Sequence, residues 1–337
     1  MTEIAEPPIV VVEAPPHRGT FDRVRARGRD FALVPAILVL LVVGSFVDPV
    51  FLTRRNLTEV LQQQTEISLL VLGEALILFL GRIDLSIESM VGFAPALAVM
   101  IVTDYYTGLP GWTAIPICLL LGLAGGLLNG LLIVKFKLSA FIVTLGMLIV
   151  LRGLQVGFTG GKSLFLLPSE FPWLGRTRWS SVPVSVVVCG VLYVAAIFAM
   201  GYLRQGRAIY AIGGNAAAAR AAGIRTDRIV ISVFMLAGLL AALAGMLTAG
   251  RLGSVAANQG QGWIFTVMAA SVIGGVSLNG GRGTIFGALS GVLVLGLIKN
   301  ILVLAGVSAQ WDQAIYGVII LVALILSRLT SGEEQTS

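Results

Sequence analysis

Long apolar runs, separated by short polar stretches, fill most of the chain. A helix of about 20 apolar residues crosses the hydrocarbon core of a membrane, and shorter runs cross when interfacial residues flank them. Ten segments fit this pattern, at residues 31–47, 64–80, 87–102, 113–134, 139–157, 182–203, 229–249, 262–279, 284–305 and 314–328. The pattern predicts an all-α, polytopic membrane protein with about ten transmembrane helices.

Composition supports the same class. Of the residues, 57% are hydrophobic and only 12% are charged, whereas about a quarter of the residues in soluble domains are charged. Several apolar runs are rich in small residues, as in "LLLGLAGGLLNGLLI" and "IFGALSGVLVLGLI". Small residues allow helix backbones to approach closely in lipid, so we interpret them as packing surfaces.

The basic residues predict the orientation. If the N-terminus lies in the cytoplasm and every segment crosses, most lysines and arginines fall in cytoplasmic regions, as the positive-inside rule requires. The basic residues left outside are Arg54, Arg55, Lys162, Arg176, Arg178 and Arg251. An even number of spans returns the C-terminus to the cytoplasm. The net charge of +6 then reflects contact with anionic membrane lipid and does not require a nucleic acid partner.

Three regions follow from this topology. Residues 1–30 are proline-rich and then arginine-rich, without the apolar stretch and cleavage site of a signal peptide. We therefore expect a disordered cytoplasmic tail there, a transmembrane domain at 31–329 and a short cytoplasmic tail at 330–337.

Little in the sequence predicts catalysis. The single histidine, His17, lies in the predicted tail, and Cys118 and Cys189 lie inside spans without metal-ligand spacing. The stretch "GFTGGKS" from Gly157 is one residue too short for a phosphate-binding loop and follows no predicted strand. We expect no catalytic residue, no metal site and no nucleotide site.

Charges near the membrane are candidates for a polar path. The stretch "LGRIDLSIES" places Asp84, Ser86 and Glu88 between two spans, and Glu74 lies inside the preceding one. Ionisable groups at this depth are costly and often functional. They either line a path for a polar substrate or form ion pairs that hold the helices together.

A second stretch resembles the first. "LGRIDLSIESMVG" and "IGGVSLNGGRGTIFG" share an alternation of Gly, Leu and polar residues before a helix restarts, and the second supplies Ser277 and Asn279 as further path candidates. Internal repeats with interrupted helices are common near the transport path of membrane transporters.

The largest predicted cytoplasmic loop, residues 204–228, contains "GGNAAAARAAGIR". Asn215 is a favourable N-cap, the alanines that follow are strong helix formers, and Gly223 is placed where a helix ends. The sequence predicts a short capped helix at 216–222. So short a helix is marginal alone in water and therefore needs a surface on which to dock.

The motifs "GRIDLSIES", "AIGGNAAAARAAGI", "GLLAALAGML", "VIGGVSLNGGRGTIFGALSGVLVLGLI" and "GVSAQWDQAIYGVIILVALIL" resemble the ribose-type permeases of bacterial ABC importers. The resemblance covers residues 31–329. It implies the translocation subunit of a monosaccharide or polyol importer in the bacterial inner membrane. It also implies that ATP and Mg²⁺ bind to a partner, so that this chain holds no cofactor and is not itself an enzyme.

The resemblance further implies three kinds of partner: ABC ATPase subunits, an extracytoplasmic sugar-binding protein and a second permease chain, identical or different. In such permeases the cytoplasmic loop is the coupling segment, which inserts a short helix into a cleft of the ATPase. The residues that match this segment are Gly214, Asn215, Ala218, Ala219, Arg220, Gly223 and Ile224.

Two other functions remain open at this point. A permease of related architecture for branched-chain amino acids or nucleosides is one. A proton-coupled secondary transporter that uses Glu74, Asp84 or Glu88 is the other, although such a carrier does not need a capped cytoplasmic docking helix.

Overall fold

A computed structural model describes residues 33–103 and 109–308, together with the single positions 311, 314, 315, 317, 318 and 321. The predicted N-terminal tail, most of the tenth predicted span and the predicted C-terminal tail lie outside these residues. The cytoplasmic location of both termini and the total of ten spans therefore stay predictions.

The described part of the chain is helical, with one short hairpin. Its helices are α1 (Val34–Val47), α2 (Arg54–Phe79), α3 (Ile87–Thr103), α4 (Ala114–Lys135), α5 (Ala140–Thr159), α6 (Trp173–Arg176), α7 (Val184–Tyr202), α8 (Arg204–Gly214), α9 (Ala216–Ala221), α10 (Thr226–Leu252), α11 (Trp263–Ile273) and α12 (Ile285–Leu304). A 3₁₀ turn at Gly111–Thr113 leads into α4. Strands β1 (Arg178–Trp179) and β2 (Val182–Pro183) pair antiparallel between α6 and α7.

Each of the first nine predicted spans overlaps a helix, which confirms an all-α, multi-pass architecture. Within the described residues, five helices are long and apolar enough to cross a membrane: α4 with its preceding turn, α5, α7, α10 and α12. Helices α1, α3 and α11 are apolar but shorter. Helix α2 has 26 residues, and its N-terminal half is polar.

Helix α2 begins ten residues before the predicted span. The Thr53 side chain accepts a hydrogen bond from the backbone N–H of Asn56 and so caps its N-terminus. Tertiary partners then stabilise the polar half, since Gln62 donates to the Gly175 carbonyl at 2.9 Å and Glu66 pairs with Arg251. Hydropathy alone could not predict this half because its stability comes from distant residues.

Helix α10 packs against α2, α3 and α4. Its contact with α4 is a backbone contact, because a Cβ atom at Gly122 would overlap the Gly238 carbonyl and one at Gly238 would overlap the Gly122 carbonyl. About two turns further along α4, a Cβ atom at Gly130 would lie 2.9 Å from Ile231 Cα. The glycine-rich runs are therefore packing surfaces, as predicted.

The predicted span at 262–279 was wrong in its last six residues. Helix α11 ends at Ile273, where Gly274 and Gly275 follow, and Gly275 adopts a φ of +77° that ordinary residues rarely take. A loop rich in glycine connects to α12, whose N-cap Thr284 accepts a hydrogen bond from Gly287 N–H at 3.0 Å. Helix α2 is followed by a comparable non-helical connection at residues 80–86.

Candidate functional site

The short helix α9 has the N-cap predicted from sequence. The Asn215 Oδ1 atom accepts hydrogen bonds from the backbone N–H groups of Ala217 at 3.0 Å and Ala218 at 2.9 Å. These are two of the N–H groups that a helix start leaves without partners inside the helix. Local chemistry therefore fixes where α9 begins.

The C-terminal end of α9 is also set locally. Gly223 has a φ of +82°. Its N–H donates to the Arg220 carbonyl at 2.9 Å, and the Ile224 N–H donates to the Ala219 carbonyl at 3.1 Å. This pair of bonds is a Schellman motif, which a glycine at the left-handed position closes without strain.

The faces of α9 differ in exposure. Ala219 is 5% exposed and packs against the rest of the chain, and Ile224 is half-buried. The remaining residues of the predicted coupling segment are exposed, namely Gly214, Asn215, Ala218, Arg220 and Gly223. Ala219 thus belongs to the inward face of α9, and the face free to meet a partner carries small alanine side chains and Arg220.

Helix α8 joins α9 to the loops that follow α2 and α11. The Tyr210 hydroxyl of α8 donates to the Gly283 carbonyl at 2.9 Å. The Tyr210 ring also lies 5.0 Å from the ring of Phe79, the last residue of α2, measured between centroids. The Tyr210 side chain of α8 therefore contacts both the end of α2 and the 274–284 loop.

Backbone contacts reinforce this connection at five glycines, which we call the glycine junction: Gly81, Gly213, Gly214, Gly280 and Gly281. The Gly281 N–H donates to the Phe79 carbonyl at 3.0 Å. A Cβ atom at Gly280 would lie 2.6 Å from Gly81 Cα and 2.9 Å from the Gly213 carbonyl oxygen, and one at Gly213 would overlap the Phe79 carbonyl. The two similar sequence stretches therefore meet each other here, with the end of α8 between them.

Charges near the glycine junction also interact. Burial lowers the pKa of the Arg82 guanidinium, the Asp227 carboxylate opposes that shift, and the Arg220 guanidinium adds to it. Arg82 follows Gly81, Asp227 lies in the first turn of α10, and Arg220 lies on α9. The guanidinium of Arg220 thus contributes to the electrostatic environment of Arg82 in the 80–86 connection.

Three predicted path residues gather in the interior with one residue that the sequence did not single out. We call Glu74, Asp84, Ser86 and Asn129 the inner polar cluster. Glu74 Oε1 accepts from the Asp84 N–H at 3.2 Å, and Asp84 Oδ1 accepts from the Ser86 N–H at 2.8 Å and hydroxyl at 2.6 Å. Asn129 Nδ2 donates to the Ser86 hydroxyl oxygen at 2.7 Å.

The inner polar cluster is shielded from water. Glu74 is fully buried, and Asp84 and Asn129 are each 1% exposed. Burial raises the pKa of the Asp84 carboxyl to about 6, against the lowering effect of its hydrogen bonds with Ser86 and Asn129. Glu74 Oε2 and Asn129 Oδ1 have no hydrogen-bond partner among the described residues. The cluster thus holds the α2–α3 connection and keeps two acceptors unused.

The other path candidates lie elsewhere. Glu88 Oε2 accepts from the Ile264 N–H at 3.1 Å and so stabilises the first turn of α11. Ser277 and Asn279 form a turn in the 274–284 loop, where the Asn279 N–H donates to the Ser277 hydroxyl oxygen at 3.3 Å. The six candidates therefore form three separate groups and do not line one continuous surface of this chain.

Sequence reasoning missed a polar cleft between α2 and α12. It encloses about 200 Å³ and is lined by polar residues that include Asn56, Gln63, Gln64, Lys299 and Asn300. The Asn56 and Asn300 amides bond to each other reciprocally, at 2.8 and 3.0 Å. The run "QQQTE" at residues 62–66 was the available signal, but it spans the start of the segment that hydropathy predicted, at residue 64.

Within the described ranges, no group of three or more His, Cys, Asp or Glu residues is placed to hold a metal ion. One ion pair within these ranges is bidentate, with Arg251 Nε and Nη2 donating to the two Glu66 carboxylate oxygens at 2.6 and 2.8 Å.

Comparison with known proteins assigns the chain to a family. The ribose import permease protein RbsC of Escherichia coli (strain K12) is 38% identical over 295 residues, which cover 86% of this chain and 91% of that protein. RbsC of Bacillus subtilis (strain 168) is 36% identical over 297 residues, 88% of this chain and 91% of that protein. The autoinducer 2 import system permease protein LsrC of Escherichia coli O157:H7 is 35% identical over 301 residues, 88% of this chain and 86% of that protein.

No solved structure matches the chain. The profile of the family described as "Branched-chain amino acid transport system / permease component" matches residues 56–324. This range takes in the glycine junction, α9 and the inner polar cluster. The chain belongs to this family of membrane permeases.

Proposed function

We propose that the chain is the translocation subunit of an ATP-driven importer for a monosaccharide or a related polyol, in the bacterial cytoplasmic membrane. Relatives that are 35–38% identical to this chain over the aligned residues are named as import permeases for ribose and for autoinducer 2. In this proposal both termini and α9 face the cytoplasm, as the distribution of basic residues favours.

The observation that carries the coupling role is the attachment of α9. Its exposed alanine face is narrow enough to enter a cleft of an ATPase, and Arg220 offers charge-assisted hydrogen bonds at the edge of that face. Closure of the ATPase pair on ATP moves α9, and α8 passes the movement to Gly81 and Gly280 through the glycine junction. ATP and Mg²⁺ bind to the ATPase, so this chain catalyses no reaction of its own.

In this proposal, the two loops that meet at the glycine junction control the path of the substrate. The 80–86 connection leads into α3 and the 274–284 loop leads into α12, so a displacement at the junction shifts the starts of two helices together. Glu74, Asp84 and Ser86 keep the first connection in shape. Glu88 holds α3 against α11, and Ser277 with Asn279 shapes the second loop. In the full transporter a second permease chain completes the path, and a sugar-binding protein delivers the substrate from outside.

Uptake in the native host tests the substrate class. Cells that lack this gene should lose uptake of one labelled pentose, hexose or polyol and regain it from a plasmid copy, while leucine and adenosine uptake stay unchanged. Loss of leucine uptake instead would favour the function that the family description names. Unchanged uptake of every sugar and polyol tested would contradict the proposal.

A further inference from the structure

A groove of about 460 Å³ lies between α7, α8 and α10. Its walls are almost entirely hydrocarbon, contributed by Ala196, Met200, Ile209, Ile229, Val233 and Leu236, with Leu76 of α2 also lining it. Leu236 is 40% exposed and Ala196 is half-buried, so the groove opens to the outside of the described chain. In a membrane-spanning protein, an apolar groove that opens outwards between helices faces lipid.

The geometry of α8 places one end of this groove at the cytoplasmic end of α7. Helix α7 ends at Tyr202 and α8 begins at Arg204. Gly206 lies against the Met200 backbone, where a Cβ atom would be 2.5 Å from Met200 Cα. Helix α8 therefore closes the groove at the end that carries α9.

Two arginines stand at that end. Arg225 and Arg228 both line the groove and both are exposed. Arg225 is the N-cap residue of α10 and Arg228 lies in its first turn, so both lie at the same end of this helix. Within the described residues neither forms an ion pair with an Asp or Glu. Guanidinium groups match phosphate oxygens in charge and in planar geometry.

We propose that this groove binds one anionic phospholipid of the cytoplasmic leaflet, with its phosphate between Arg225 and Arg228 and an acyl chain along α7 and α10. A phosphate alone would satisfy the arginines but would leave the apolar walls uncovered. A zwitterionic lipid would cover the walls, but its own cationic headgroup offsets its phosphate, so it brings no net negative charge to the arginines. The cytoplasmic leaflet is the anionic one and attracts basic residues next to a span. The proposal rests on the cytoplasmic location of α9, which is part of the proposed function.

A lipid in this position would touch the coupling segment. Arg225 directly follows Ile224, the residue that closes the end of α9, and Ile209 lies on α8. Lipid binding would thus hold α8, the helix that ends in the glycine junction, against the start of α10. The bound anionic lipid would then regulate the coupling between the ATPase and the transmembrane helices.

The test uses the purified full-length permease in detergent, without ATPase or substrate. Phosphatidylglycerol and phosphatidylcholine are titrated in turn, and bound lipid is counted by native mass spectrometry with the melting temperature as a second readout. We expect saturable binding of one phosphatidylglycerol. The double change Arg225→Gln/Arg228→Gln should weaken it by about tenfold or more. The control, Lys135→Gln/Lys137→Gln, changes two exposed basic residues at another predicted cytoplasmic loop and should leave binding unchanged.

A second variant separates the groove from the charges. Ser232 lines the groove and is exposed, so Ser232→Phe should fill the groove, spare both arginines and still weaken phosphatidylglycerol binding. Equal binding of both lipids, equal losses in the lysine control, or the same stabilisation by inorganic phosphate alone would overturn the proposal. So would occupation of the groove by a second copy of the chain, detected by cross-linking from Ser232→Cys. Because no substrate or ATPase is present, failure here is distinguishable from failure of the import function.

Discussion

Asp84 has a different role in each of the two transport mechanisms considered. In an ATP-driven importer its carboxylate stabilises a turn, whereas in a proton-coupled carrier it would bind and release a proton. Its Oδ1 atom accepts from the backbone N–H and the hydroxyl of Ser86, two residues on, which is the geometry of an Asx turn. Asparagine forms the same turn with its side-chain oxygen. A proton-coupled carrier, in contrast, requires a group that binds and releases a proton in each cycle.

Replacement of Asp84 therefore separates the two mechanisms. We expect Asp84→Asn to keep the turn and to retain a substantial part of ATP-dependent uptake. Asp84→Ala removes both hydrogen bonds and should destabilise the protein by about 2 kcal/mol. Uptake and melting temperature of the two variants provide the measurement. Complete loss of accumulation in Asp84→Asn, with substrate exchange preserved, would favour proton coupling.

At the level of elements, α9 is the part most completely predicted from sequence. Its caps depend on Asn215 and Gly223, whose effects act within three residues, so local chemistry suffices. The sequence could not show which alanine faces inwards, because that depends on how α9 lies on the rest of the chain. Ala219, which was predicted to contact the ATPase, lies on the inward face of α9. Ala218 is exposed and is the better position at which to test ATPase docking.

Two neighbouring alanines provide a matched test of docking. Ala218→Trp places a large side chain on the exposed face, so we expect a normal melting temperature for the isolated permease but loss of ATPase binding. Ala219→Trp should lower the melting temperature itself because Ala219 is 5% exposed. Co-purification with the ATPase and thermal unfolding measure the two effects. ATPase binding that survives Ala218→Trp would exclude docking through this face.

The glycine junction was not predictable from sequence, although the resemblance between its two stretches was visible. The stretches are almost 200 residues apart in the chain, and only the fold brings Gly81 against Gly280. The polar half of α2 was not predicted from sequence for the same reason. Its partners, Gly175 and Arg251, are distant in sequence. Local patterns thus predicted helices and caps, whereas contacts between elements required the structure.

Two helical glycines test the junction. A Cβ atom at Gly213 would overlap the Phe79 carbonyl and lie 2.5 Å from the Gly281 nitrogen, whereas one at Gly153 of α5 meets no atom within 4 Å. We expect Gly213→Ala to leave ATPase binding and ATP hydrolysis intact but to reduce uptake strongly. Gly153→Ala, a control outside the junction and the coupling segment, should behave like the natural protein. Equal uptake by both variants would show that movement does not pass through the junction.

At the scale of the whole molecule, the account depends on orientation. Lys162 and Ala218 are both exposed, and the proposed topology has them on opposite sides of the membrane. The native Cys118 and Cys189 are buried and can be replaced to leave no background thiol. In intact spheroplasts an impermeant maleimide should label Lys162→Cys and spare Ala218→Cys, with labelling reversed in inverted vesicles. Labelling of Ala218→Cys in intact spheroplasts would overturn the orientation.

The source of energy is the central claim, and uptake by proteoliposomes tests it directly. The vesicles contain the permease, its ATPase and its binding protein, and labelled sugar is supplied with and without ATP, a protonophore and an imposed pH gradient. The account predicts accumulation that requires ATP and persists when the protonophore is present. Accumulation driven by the pH gradient alone, in vesicles that lack the ATPase, would contradict it.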